Sequence, residues 1–180
     1  MKFKRIFTTF IIVLILILGI NIVLKNYMFP SKHEEAVDKY AAEYNLDPYF
    51  VLAIIKTESK FKADARSHKD AVGLMQITED TGKWIASEMG LSDYTPDKLY
   101  EEDYNIKMGC WYLNNLRDEF EDMDLVVAAY NAGRGRVKEW LSSKDYSENG
   151  IELSYIPYPE TKTYVDKVNT NYNMYRILYE

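Results

Sequence analysis

The sequence is short of the residues that cross-link chains and bind metals, with a single cysteine and two histidines among 180 residues. Cys110 has no partner, so no intrachain disulfide can form and the fold must depend on its core. His33 and His68 lie far apart in sequence and have no Cys or carboxylate at ligand spacing, and no phosphate-binding glycine loop is present. The sequence therefore predicts neither a metal site nor a cofactor. Only 8 Gly and 5 Pro occur, which excludes collagen-like and low-complexity chains.

Basic residues are too few outside the N-terminus to balance the acidic ones. Residues 1–29 carry four basic side chains and no acidic ones, a charge of +4, which leaves −10 on residues 30–180 of a total of −6. Binding of DNA or RNA depends on neutralising phosphates with Lys and Arg, which such an acidic body cannot do. We therefore predict no nucleic-acid partner.

One long apolar run lies near the N-terminus, from Ile6 to Leu24. As a helix these 19 residues span about 28 Å, close to the ~30 Å of a bilayer core. A cleavable signal peptide is the alternative, but no small-x-small site follows the run. Lys2, Lys4 and Arg5 favour a cytoplasmic N-terminus. We therefore predict a single-pass, uncleaved anchor in residues 1–29, with the body outside the cytoplasm.

Residues 30–180 read as a series of helices with no strand-like alternation. Helix-start signals occur at Ser31–Glu34, where a capping box is predicted, at Asp47-Pro48 and at Thr78. The predicted helices include Pro48–Glu58, Thr78–Gly90, Asp103–Phe120, Asp124–Ala132 (stopped by Gly133 and Gly135) and Glu160–Tyr179. The body is thus expected to be one all-α domain, with at most a small irregular or β lobe between residues 60 and 80.

Glu58 is the strongest candidate for chemistry. The helix before it is apolar nearly all round, and Val51, Ile54, Ile55 and Glu58 share one face at the i, i+3, i+4, i+7 spacing. Burial and the negative end of the helix dipole both raise the pKa of such a carboxyl, which suits a general acid near neutral pH. The alternative is a glutamate that simply ends a helix in solvent.

Five short motifs follow one another in a characteristic order. They are Glu58-Ser59, Ala71-x-Gly73-Leu74-Met75-Gln76-Ile77, Asn105-Ile106-x-x-Gly109-x-x-Tyr112-Leu113, Ala128-Ala129-Tyr130-Asn131-Ala132-Gly133 and Ile156-Pro157-x-Pro159-Glu160-Thr161-x-x-Tyr164-Val165. In order and spacing, this series resembles the catalytic domain of the soluble lytic transglycosylases, relatives of goose-type lysozyme. The resemblance runs from about Ala36 to Val168. It implies a lysozyme-like fold and cleavage of glycan strands of bacterial peptidoglycan without water.

The resemblance also implies roles for individual residues. Glu58 would protonate the β-1,4 oxygen between N-acetylmuramic acid and N-acetylglucosamine, then act as a base while a 1,6-anhydro ring closes. Ser67, Gln76, Asn131 and Glu160 would line the cleft, and Tyr130 would contact the acid or the substrate. Four of them have a structural alternative: a turn cap for Ser67, backbone bonding for Gln76, packing for Tyr130 and a favourable helix-dipole position for Glu160.

Two other functions stay open at this point. A lysozyme-type hydrolase would need a second carboxylate, for which Asp64, Asp70 and Glu79 are the nearby candidates. A wall-binding scaffold could keep the fold without activity, although the retained Glu58, Gln76 and Tyr130 argue against that. The chain departs from the family pattern in having Ala63, Glu79 and Arg134 where Pro is frequent, and Thr78 where Met is common.

Overall fold

The structure is a computed structural model that describes residues 2–180. The all-α prediction is confirmed, since eight α-helices and no strand occur in these residues. Between residues 60 and 80 the chain forms the expected irregular lobe, in which Val72 makes isolated bridges to Arg66 and Ile77. The helices are α1 (Lys2–Val23), α2 (Glu34–Glu43), α3 (Pro48–Glu58), α4 (Glu79–Met89), α5 (Glu102–Glu119), α6 (Met123–Ala132), α7 (Arg134–Ser142) and α8 (Pro159–Tyr179).

The N-terminal helix stands apart from the body. No side chain of α1 is buried, and the helix continues through a π-helical turn at Leu24–Met28. The whole stretch Lys2–Met28 has a mean hydropathy of 2.9 in its window of 18 residues, and it is long and apolar enough to cross a membrane.

Local capping signals predict two of the three helix starts correctly. The Asp47 carboxylate accepts a hydrogen bond from the Tyr49 N–H at 2.8 Å, and the Thr78 hydroxyl accepts one from the Thr81 N–H at 3.3 Å. The predicted capping box at Ser31–Glu34 is wrong. His33 precedes α2 with a φ of 59° and makes no capping bond, because its Nδ1 pairs with Glu102 at 2.9 Å.

The core centres on α3, whose residues from Phe50 to Ile55 are all buried. Helix α8 packs along α3 and also against α6, so these three helices form the wall behind Glu58. This arrangement explains why α3 is apolar nearly all round, since neighbours cover it on several sides.

The lobe of residues 60–80 is fixed to the body by one buried amide. Asn105 of α5 accepts a hydrogen bond from the Met75 N–H at 2.7 Å and donates to the carbonyls of Leu99 and Val72 at 2.7 and 3.1 Å. Gly73 has a φ of 81°, and a Cβ there would lie 2.3 Å from the Asn105 amide nitrogen. Only glycine fits this close approach.

Candidate active site

A cleft of about 450 Å³ lies between the end of α3, the lobe, the end of α6 and the start of α8. All six residues singled out from the sequence line it: Glu58, Ser67, Gln76, Tyr130, Asn131 and Glu160. These residues span more than 100 positions in sequence, and the helical packing brings them to one cavity. His68, Lys69, Thr81 and Tyr112 also contribute to the lining.

Glu58 is the last residue of α3 and faces the cleft with a half-buried side chain. Burial raises the pKa of its carboxyl to about 7, and a hydrogen bond from Tyr164 opposes the rise. Within residues 2–180 no cation forms an ion pair with it. The carboxyl is therefore half protonated near neutral pH, which is the state that a general acid needs.

The tyrosine that holds Glu58 is Tyr164 of α8. Its hydroxyl donates to Glu58 Oε1 at 2.6 Å, while the Tyr130 hydroxyl donates to the Met75 carbonyl at 2.8 Å. Burial raises the pKa of both phenols well above the ordinary value, so both hydroxyls keep their protons. The hydrogen bond to Glu58 thus comes from Tyr164, whereas the Tyr130 hydroxyl ties α6 to the lobe. A contact between Tyr130 and the substrate stays a prediction.

Tyr164 lies within one of the sequence motifs, but the motif alone assigns it no role. Its contact with Glu58 joins residues 106 positions apart, so no local pattern reports it. The available signal was a phenol on the apolar stripe of α8, where Tyr164, Val165 and Val168 are all buried. A buried tyrosine hydroxyl usually has a hydrogen-bond partner, and here that partner is the acid.

Gln76 and Ser67 use part of their hydrogen-bonding capacity to hold the lobe. The Gln76 amide nitrogen donates to the carbonyls of Gly73 and Ala65 at 2.9 and 3.1 Å. The Ser67 hydroxyl accepts from the N–H groups of Ala71 and Lys69 at 3.1 and 3.2 Å. The Gln76 amide oxygen and the Ser67 hydroxyl proton remain available, an acceptor and a donor for a ligand in the cleft.

Asn131 and Glu160 lie where α6 ends and α8 begins. The Asn131 side-chain oxygen accepts a hydrogen bond from the Thr161 hydroxyl at 2.9 Å. Glu160 is 77% exposed, and its carboxylate lies 4.0 Å from the Lys69 ammonium on the opposite lip of the cleft. Such an exposed pair is weak in water, so both groups can turn to a ligand.

The carboxylates proposed for a hydrolase lie outside the cleft. Asp64, Asp70 and Glu79 are exposed, and none of them lines the cavity. Asp70 pairs with Arg66 at 2.8 Å, and Glu79 occupies the first turn of α4. Among residues 2–180, the only carboxylates in the lining are Glu58 and the exposed Glu160.

Arg134, which stands where the resembled family often has Pro, lies over an aromatic group beside the cleft. Its guanidinium is 4.6 Å from the Trp84 ring centroid and 5.8 Å from that of Tyr112, and it also bonds to Asn115. Tyr112 in turn packs against Tyr130, with ring centroids 5.4 Å apart. The arginine thus braces the aromatic side chains behind the cleft.

The comparisons with known proteins agree with this geometry. Residues 35–152 match the Transglycosylase SLT domain family. The soluble lytic murein transglycosylase of Salmonella typhimurium is 31% identical over 143 residues, which cover 78% of this chain and 22% of that protein. The membrane-bound lytic murein transglycosylase C of Cronobacter sakazakii is 33% identical over 168 residues, covering 81% of this chain and 46% of that protein.

Solved structures show the same fold. An inactive mutant of lytic transglycosylase Slt from Pseudomonas aeruginosa superposes with a TM-score of 0.72 at 33% identity, covering 83% of this chain and 25% of that one. The 70 kDa soluble lytic transglycosylase of Escherichia coli gives a TM-score of 0.73 at 28% identity, with the same coverage. The chain thus spans between about a fifth and a half of the length of these relatives.

Proposed function

Because this chain belongs to the Transglycosylase SLT domain family, we propose that it is a membrane-anchored peptidoglycan lytic transglycosylase. Its substrate is the β-1,4 bond between N-acetylmuramic acid and N-acetylglucosamine in glycan strands. The observation that carries the proposal is Glu58, a carboxyl whose pKa is raised to about 7 in a cleft and which accepts a hydrogen bond from the neutral Tyr164.

In the first step Glu58 acts as a general acid. The Tyr164 hydroxyl donates to Oε1, so the proton of the neutral carboxyl resides on Oε2. This proton passes to the glycosidic oxygen as the bond to C1 of the muramoyl sugar breaks. The muramoyl acetamido oxygen stabilises the positive charge left at C1. Tyr164 contributes by stabilising the carboxylate that forms on Glu58.

In the second step the same carboxylate acts as a base. It takes the proton from the primary hydroxyl on C6 of the muramoyl sugar, whose oxygen bonds to C1 and closes the 1,6-anhydro ring. Glu58 ends the cycle protonated, as it began. Since the sugar supplies its own nucleophile, no second carboxylate is needed to activate water. The exposed positions of Asp64, Asp70 and Glu79 support this route over hydrolysis.

The remaining cleft residues bind the glycan. Free hydrogen-bonding groups of Ser67, Gln76 and Asn131 face the sugar hydroxyls and acetamido groups, and Glu160 lies at the mouth where a strand enters. Tyr130 also lines the cleft, while its hydroxyl bonds to the Met75 carbonyl. No cofactor takes part in the proposed mechanism.

The anchoring follows from α1. We propose that residues 1–29 form an uncleaved, single-pass anchor with its N-terminus in the cytoplasm, and that residues 30–180 act outside the bacterial cell membrane. The length and hydropathy of Lys2–Met28 support this, as does the similarity to the transglycosylases of Cronobacter sakazakii and Histophilus somni that are described as membrane-bound.

Digestion of purified peptidoglycan by the full chain in detergent, followed by mass spectrometry of the products, tests the activity. We expect 1,6-anhydromuramoyl ends; new reducing ends would indicate a hydrolase, and no release would indicate a scaffold. Glu58→Gln should lower turnover at least ~10²-fold, because it removes the titrating proton but keeps the shape of the side chain. Retention of more than a tenth of wild-type turnover would contradict the assignment. Glu79→Gln is the matched control, because Glu79 is an exposed carboxylate that does not line the cleft, and it should keep turnover within roughly tenfold.

A further inference from the structure

Residues Lys25–Ser31, which follow the proposed membrane-spanning run, pack against the body. We call these residues the junction segment. Its Phe29 is only 8% exposed, and the ring packs edge-to-face on Tyr175 with centroids 5.6 Å apart. The Tyr179 hydroxyl donates to the Phe29 carbonyl at 2.8 Å, and the Tyr175 hydroxyl donates to the Pro30 carbonyl at 3.0 Å. Both tyrosines belong to α8, so the C-terminal turns of this helix hold the junction segment.

Helix α3 holds the same segment from a second side. The Lys56 ammonium donates to the Met28 carbonyl and lies 4.4 Å from the centroid of the Phe29 ring. The Lys25 ammonium lies 4.7 Å from the ring centroid of Tyr179. The junction segment therefore contacts the two helices that supply Glu58 and Tyr164.

No linker residues separate the membrane-spanning run from these contacts. The apolar run Ile6–Leu24 needs all of its length, about 28 Å as a helix, to cross a hydrocarbon core of ~30 Å. The junction segment starts at the next residue, so its contact surface must lie at the membrane surface. Tyr27 and Ile177, which are 80% and 76% exposed, fit this position because the interface accommodates aromatic and apolar side chains.

The catalytic acid lies close to this contact surface. Lys56 and Glu58 are two residues apart on α3, which is ~3 Å along the helix axis. They point to opposite sides of a helix about 10–12 Å across, and the Lys56 ammonium lies 4.4 Å from the Phe29 ring centroid, so the Glu58 carboxyl lies on the order of 15 Å from the junction segment.

On the basis of the function proposed above, we infer that the body is held at a fixed height above the outer face of the membrane that α1 spans. Its substrate is then glycan tethered to the same bilayer. A tethered strand is cut where it passes the cleft. The piece left on the membrane is therefore short and of uniform length.

The length of that piece is the test. The full chain is reconstituted in phosphatidylethanolamine–phosphatidylglycerol vesicles that carry glycan strands attached by a lipid at one end, and the retained pieces are sized. A 12-residue Gly/Ser insertion between Val23 and Leu24 adds a flexible spacer with a root-mean-square length of ~20 Å and leaves the junction contacts intact. We expect the mean retained length to roughly double and its distribution to broaden. Equal distributions in wild type and insertion variant would overturn the inference.

The same insertion placed ahead of Lys2 is the matched control, since it adds the same residues on the other side of the membrane. It should leave the retained length unchanged. Cleavage of untethered strands should be equal in all three proteins, because neither insertion alters the cleft.

A height measurement that needs no catalysis separates this inference from the proposed function. Cys110 is buried, so a dye on the variant Lys167→Cys labels one exposed site of α8. Energy transfer from this dye to acceptor lipids should fall when the insertion between Val23 and Leu24 is present. If the insertion lowers the energy transfer but the protein cuts no glycan, the inference of a fixed height stands and the proposed function fails. If the energy transfer does not change, the fixed height is overturned.

Discussion

The raised pKa of Glu58 has a cost in stability that can be measured without substrate. An unfolded glutamate loses its proton near its ordinary pKa of 4.5, whereas folded Glu58 keeps its proton until about pH 7. Between these values ionisation stabilises the unfolded state but not the folded one, so the free energy of unfolding falls as pH rises through this window. At 1.36 kcal/mol for each pKa unit, the loss above pH 7 is about 3 kcal/mol.

The variant Glu58→Gln removes this cost. At pH 8 it should be about 3 kcal/mol more stable than wild type, and at pH 4 the two should differ little, because the wild-type carboxyl is then neutral in both states. Thermal unfolding of the full chain in mild detergent, followed by tryptophan fluorescence, gives the comparison. All three tryptophans, Trp84, Trp111 and Trp140, lie in the body.

Glu160→Gln is the control for the substitution chemistry, since Glu160 is exposed and lies at the mouth of the same cleft. The pH-dependent gain of Glu58→Gln is taken as its difference from the effect of Glu160→Gln at the same pH. A stability gain in Glu58→Gln of equal size at pH 4 and pH 8 would refute the reasoning, because it would then come from packing and not from ionisation. A gain larger at pH 4 would mean that the fold favours the carboxylate.

Three further predictions concern the cleft, the lobe and the junction segment. Tyr164→Phe removes a hydrogen bond that stabilises the Glu58 carboxylate, so the alkaline limb of kcat/KM should move up by about one pH unit; an unchanged limb would remove Tyr164 from the mechanism. Each of three substitutions should keep turnover within roughly tenfold and still give anhydro ends: Asp64→Asn, Asp70→Asn and Glu79→Gln. Phe29→Ala should speed tryptic cleavage after Lys32 in the reconstituted chain, whereas Tyr27→Ala, which alters an exposed ring of the same segment, should not.

Local signals predicted the fold where a helix start is fixed by its own neighbours in sequence. Asp47-Pro48 and Thr78 cap helices as expected, since the capping bonds reach only two or three residues ahead. At His33 the tertiary pairing with Glu102 replaces the predicted capping box.

The sequence pattern does not predict α7, because Gly133 and Gly135 are both typical helix stops. Gly133 does end α6, but Gly135 lies in the exposed first turn of α7. A glycine there costs about 1 kcal/mol relative to alanine. Burial of Val137 and Trp140 on the other face of the helix exceeds that cost, which no local propensity reveals.

The sequence predicts those features of the candidate site that depend on the residue types themselves. The apolar face leading to Glu58 indicated a raised pKa, and the structure gives the same direction for the reason foreseen, burial. The sequence pattern could not identify Tyr164 as the hydrogen-bond partner of Glu58. It also could not show whether Asp64 and Asp70 lie in the cleft or, as the structure has them, on the surface. Both depend on how α8 and the lobe pack, which involves residues far apart in the chain.

The hydrogen bonds by which Asn105 and Gln76 hold the lobe affect whether copies of the protein can associate through a sheet edge. Where paired strands satisfy the backbone of a lobe, they leave an outer edge of free N–H and C=O groups, to which another chain can add a strand. Here side-chain amides bond to the carbonyls of Val72, Leu99, Ala65 and Gly73. With no strand in residues 2–180, the described chain offers no sheet edge for such growth. The absence of such an edge in the described residues protects them against edge-to-edge aggregation.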